Sequence, residues 1–193
     1  MKLHYSPRPL LGGFSALLIA ALLSVCAQAQ TSQTPRAPAT VTLKDWSAEM
    51  PEDAHDYKCA TDQALVGRWH WGAEDKDSKY RCGSIFQFKD IPITDVREFI
   101  RVKESDGIWV VCPENEVMVG RGHLGDENGD TWYYCGKIHD YWDNPMNVVP
   151  GTWQRIDDEE ETNFQCASNQ VLVGRYHRGD ETKQTQYLCA TLY

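Results

Sequence analysis

Residues 112–135, CPENEVMVGRGHLGDENGDTWYYC, carry the pattern that decides the fold. The same frame returns as residues 59–82, CATDQALVGRWHWGAEDKDSKYRC, and as residues 166–189, CASNQVLVGRYHRGDETKQTQYLC. Superposed without a gap, the three share the first Cys, then Val, Gly, Arg, His, Gly, Glu, Ser or Thr, Tyr and the last Cys. An aromatic residue, Trp46, Phe99 or Trp153, stands 13 positions before each first Cys. The chain is therefore an internal repeat in three copies, spaced 53 and 54 residues apart. A unit this short cannot bury its own apolar face, so the copies are expected to pack on one another around a shared core.

Inside each frame the apolar period is two. In the third copy Val171, Val173, Arg175 and His177 alternate with Leu172, Gly174 and Tyr176; after a polar turn, Thr185, Tyr187 and Cys189 alternate with Gln186 and Leu188. That pattern predicts two strands joined by a hairpin. The segments 57–59, 108–112 and 164–166 read as a third strand of the same unit. The expectation is an all-β, pseudo-threefold domain of three small antiparallel units, of prism, trefoil or short propeller type. It covers residues 44–193, with repeats at about 46–98, 99–152 and 153–193. The segment TDVREFIRVKE, residues 94–104, fits a strand or a helical turn.

The N-terminus sets the compartment. Lys2 and Arg8, the apolar run ALLIAALL at 16–23 and the small-x-small sequence Ala27-Gln28-Ala29 read as a signal peptide over residues 1–29. A lipoprotein signal ending at Cys26 is the competing reading, but Val25 is bulky where that processing needs a small residue. Residues 30–43, with two prolines and many small polar residues, read as a flexible leader. Of seven cysteines, six remain after cleavage, two per repeat. Export and the even count favour disulfides, and a unit duplicated with both cysteines most simply pairs Cys59 with Cys82, Cys112 with Cys135 and Cys166 with Cys189. Each bridge is worth about 3 kcal/mol in the chain-entropy model. Zinc is disfavoured because no CxxC pair is present. The whole chain has 19 basic and 28 acidic residues. Loss of Lys2 and Arg8 leaves 17 basic residues and a net charge of −11. Such a surface repels phosphate backbones and anionic lipid, which excludes nucleic acid and membrane surface as expected partners and admits a basic protein.

Two residue sets stand out as sites. Arg68 with His70, Arg121 with His123 and Arg175 with His177 form three equivalent pairs that could hold a ligand. The structural account of the same residues is a core in which each Arg and His pairs with Glu74, Glu127 or Glu181 and a Tyr hydroxyl. The second set, Trp69, Trp71, Trp132, Tyr134 and Tyr176, falls on or near the face that varies between copies, where large exposed aromatics serve recognition of a sugar ring or a partner. The acidic loop 126–130 and the run 157–161 read as solvated turns rather than a metal site or a catalytic cluster. No GxSxG or HExxH motif occurs, so no catalytic residue and no cofactor are expected.

A Cys, an apolar strand, an acidic polar loop and a strand ending in aromatic-x-Cys, with the leading aromatics Trp46, Phe99 and Trp153, resemble the repeats of dermatopontin-like extracellular proteins. That resemblance implies a disulfide-linked, β-rich binding protein, lectin-like in some members. The family's Asp-Arg-x-Trp signature is missing at residues 75–78, 128–131 and 182–185. Together these readings describe a periplasmic or secreted, non-catalytic binding protein. A carbohydrate-binding, lectin-like module comes first, and a periplasmic inhibitor or immunity protein that neutralises a basic toxin or hydrolase comes second.

Overall fold

The computed structural model describes residues 36–193 apart from positions 74, 75, 127 and 181. Residues 1–29, expected to be a signal peptide, and with them Cys26, lie outside the described residues. The first repeat supplies β1 (Thr40–Trp46), β2 (Met50–Pro51), β3 (Ala54–Lys58), β4 (Gln63–His70), β5 (Asp77–Gln87) and β6 (Lys89–Asp90). The second supplies β7 (Ile93–Lys103), β8 (Trp109–Val111), β9 (Glu116–Leu124) and β10 (Asp130–Ile138). The third supplies β11 (Val148–Ile156), β12 (Asn163–Gln165), β13 (Gln170–His177) and β14 (Thr185–Leu192). The fold is all-β, in three antiparallel sheets. Residues 94–103 are strand, and residues 40–43, expected in the leader, already belong to β1, paired with residues 83–86 of β5.

The strand pairing corrects the expected unit. β4 pairs with β5, β9 with β10 and β13 with β14, as the hairpin pattern requires. The short strand before each first Cys leaves its own repeat. β3 pairs with β9, β8 with β13 and β12 with β4, so every sheet takes an edge strand from the preceding repeat and the third repeat closes on the first. The physical reason lies in one extra residue. Val66, Val119 and Val173 are bulged out of register against β5, β10 and β14. Each bulged carbonyl accepts the N–H of the first Cys of the preceding repeat, from Cys166, Cys59 and Cys112 respectively, at 2.8–2.9 Å. A bulge bends and twists its strand and re-aims the side chains that follow.

The same bulge overturns the expected face. Strict alternation puts Val on the Arg and His face; instead Val66, Val119 and Val173 join one apolar layer with Ile85, Ile93, Ile138 and Leu192. Leu65, Met118 and Leu172 fall in the other layer with the cysteines, Tyr80, Tyr133 and Tyr187.

Cys59 is bonded to Cys82, Cys112 to Cys135 and Cys166 to Cys189. Because the first Cys follows the exchanged strand, each bridge ties one sheet to the next. Three disulfides indicate an oxidising compartment, and no helix among the described residues is long and apolar enough to cross a membrane.

Candidate functional site

β4, β9 and β13 pack against one another and carry Arg68, Arg121 and Arg175 inward, each at most 2% exposed. Three carboxylates meet them. Glu52 contacts Arg68 at 3.0 Å and Arg121; Glu104 contacts Arg121 at 2.7 Å and Arg175 at 2.5 Å; Glu159 contacts Arg175 and Arg68, the latter at 2.6 Å. Arginine and glutamate thus alternate in a closed ring of six charges with no net charge. Every Glu bridges the Arg of its own repeat and that of the next. Tyrosine hydroxyls join the ring: Arg121 donates to Tyr80 at 2.9 Å and Arg175 to Tyr133 at 2.9 Å. His123 Nδ1 lies 3.0 Å from Glu104, His177 pairs with Glu159, and Ser78 donates to Glu52.

Glu74, Glu127 and Glu181, invoked as counter-charges, lie outside the described residues, while the carboxylates of the ring come from the segments between frames. Glu159 belongs to the acidic run read as a solvated turn, yet it is 4% exposed. The signal was present: an acid stands seven residues before Cys59 and Cys166 and eight before Cys112. A gapless superposition hides it because the second copy has one residue more.

The electrostatics follow from burial. Burial alone raises the Glu52 carboxyl, but Arg121 and Arg68 together more than cancel this and hold it well below the usual carboxylate range. Glu104 is held low in the same way by Arg121 and Arg175. Burial pushes His55 down to about 4 against the pull of Glu52, and it pushes His70 to about 4 with Arg68 acting in the same sense. Between Leu65, Met118, Leu172 and the ring a space of about 10 Å³ remains. That is at the lower limit for one water molecule and admits no substrate. The repeated Arg and His pairs are thus the interior of the fold.

The aromatic candidates separate into two groups. Trp132 and Tyr134, expected at the surface, are buried at 8% and 9% exposure. The cause is Gly122, the cross-strand neighbour of Trp132: its missing side chain lets the indole lie flat over β9. The Trp132 Nε1–H donates to Asp56 at 3.1 Å and to the Tyr134 hydroxyl at 3.0 Å. Trp69 is half-buried under the Lys79 ammonium, 4.7 Å from its ring centroid. Trp71 is exposed.

Tyr176 is the candidate with a concave surface beside it. Its ring stacks on Trp109 at 4.1 Å and 23°, and Trp109 meets Trp153 edge-on at 4.7 Å. The groove next to Tyr176 has about 490 Å³ and is lined also by Arg155, Asp157, Arg178, Thr182 and Gln184. Its rim is fixed: Asp180 accepts from the Thr182 N–H at 3.1 Å, and the Glu159 N–H donates to Lys183 O at 3.2 Å. A second exposed aromatic group, unmarked by the repeat pattern, consists of Phe88, Tyr141 and Trp142, from segments that occur once in the chain. No family model matches the chain, and no curated protein or solved structure gives a significant match.

Proposed function

We propose that the chain is an exported, non-catalytic, lectin-like protein that binds a carbohydrate in the groove beside Tyr176. The observation that carries this reading is the groove's chemistry. An aromatic pair, Tyr176 on Trp109, borders a cleft of about 490 Å³ furnished with two guanidiniums, an ammonium, a carboxylate, an amide and a hydroxyl. A sugar ring presents C–H groups on its faces and hydroxyls at its rim, so it needs an aromatic surface and planar hydrogen-bonding groups side by side. The Arg155 Nε–H donates to Asp157 at 2.5 Å, which leaves that pair locally neutral and suited to sugar hydroxyls. Variation between repeats supports the assignment. Trp71, Leu124 and Arg178 occupy equivalent positions, as do Trp69, Gly122 and Tyr176, and a position that the fold leaves free is available to function.

Screening residues 30–193 on a glycan array identifies the sugar, and titration of that sugar into Tyr176→Ala tests the site. The substitution should weaken binding about tenfold, in keeping with the loss of about 0.5–1.5 kcal/mol of aromatic contact plus the covered area. Silence across neutral and acidic glycans, or unchanged affinity in the variant, would remove the reading.

A further inference from the structure

Phe88, Tyr141 and Trp142 form an exposed cluster with ring centroids 5.4–5.9 Å apart and ring planes at 62–89°. They are 62%, 41% and 60% exposed. Their supports are rigid. Phe88 holds the turn between β5 and β6 at φ 62°, and Asp143 stands at φ 68° just beyond Trp142. A bulky side chain in the left-handed region is a strained choice where glycine would serve, and such strain persists where the surroundings impose it. The buried Asp140 carboxylate accepts the N–H groups of Trp142 and Asn144 at 2.9 Å and pairs with Arg36 at 3.0 Å. The Tyr141 N–H donates to Gln87 at 3.0 Å, locking one loop to the other.

Charge identifies the occupant. Trp46, Trp69, Trp132 and Tyr134 each carry an Arg or Lys of this chain over the ring, at 4.0–5.7 Å. Tyr141 is covered by Lys89 at 5.3 Å. Phe88 and Trp142 have no such cation among the described residues. The exposed carboxylates of Asp90 and Asp143 neighbour them in the chain, on a protein of net charge −9. A groove of about 250 Å³ at the base of the loop is lined by Glu114, Lys137, His139 and Pro145, with the Lys137 ammonium paired to Asp95 at 2.9 Å. The Glu114 carboxylate makes no ion pair among the described residues. We infer that this surface docks a basic protein partner, which places an arginine or lysine on Trp142 and Phe88 and a second cation against Glu114. Aromatic anchors within a ring of complementary charge are the usual makeup of an interface hot spot.

The inference is independent of the carbohydrate site. The probe is a tetra-arginine amide peptide titrated into residues 30–193, with the uncharged citrulline peptide as control, read by the NMR signal of the Trp142 indole N–H. The arginine peptide should move that signal, bind less tightly as salt rises, and lose about tenfold in affinity in Trp142→Ala; the citrulline peptide should not bind. Phe88→Gly is a second variant, because glycine adopts φ 62° without strain. It should keep or raise stability while weakening the peptide. Equal peptide affinity in wild type and Trp142→Ala overturns the inference, as does an unmoved Trp142 signal. A Trp142 shift caused by neutral sugar would make the surface a second sugar platform. Tyr176→Ala should leave peptide binding unchanged, so failure of either site is visible separately.

Discussion

At the scale of single residues, Arg68, Arg121 and Arg175 are held because each is matched by two carboxylates. Removing one guanidinium strands two buried anions, and breaking such a pair typically costs about 3–5 kcal/mol. Arg121→Met should therefore destabilise the protein by about that amount in urea unfolding. Lys103→Met, which cuts an ion pair to Asp130 between side chains 53% and 43% exposed, should leave stability close to that of the wild type. Comparable losses in the two variants would mean the ring is open to water. The three Arg and three His were legible from their spacing, but their charge partners were not, because a gapless frame cannot register Glu104 one residue out of step. Trp132 differs from expectation for a similar reason: alternation predicts exposure, whereas Gly122 across the strand decides burial.

Hairpins and disulfides could be read at the scale of elements, since period two and a shared Cys spacing are local signals. The exchange of β3, β8 and β12 could not, because it depends on a one-residue bulge at Val66, Val119 and Val173 that leaves the sequence alternation intact. Gly67, Gly120 and Gly174 mark where the exchanged strands approach. A Cβ at Gly174 would lie 2.8 Å from the Val110 carbonyl and 3.0 Å from the Trp153 ring. Gly174→Ala should push β8 away from β13 at a cost of about 1–3 kcal/mol. Hydrogen exchange at the Cys112 N–H, which donates to the Val173 carbonyl at 2.8 Å, should quicken in that variant. Unchanged protection there would show that β8 is not held by close approach.

Across the whole molecule, the repeated Arg, His and Tyr residues lie in the interior, and the two surfaces proposed for ligands are built from unrepeated residues. The interior also sets the response to acid. His55 and His70, held near 4 in the fold against about 6.5 in the unfolded chain, make the unfolded state the better proton acceptor. Their contribution to stability is full above pH 6.5 and is lost as pH falls towards 4. The depressed carboxyls of Glu52 and Glu104 extend the loss at pH below their ordinary range. Urea unfolding at pH 5 should accordingly take up about two protons from these histidines, and a flat profile between pH 7 and 5 would contradict the assignment. The most direct test of a closed interior is the NMR pH titration of His70 in the folded protein. If the ring is buried, His70 stays neutral to about pH 4, and the search for ligands belongs at Tyr176 and Trp142. Free titration of His70 near 6.5 would contradict the closed ring and return the three Arg and His pairs to the list of open sites.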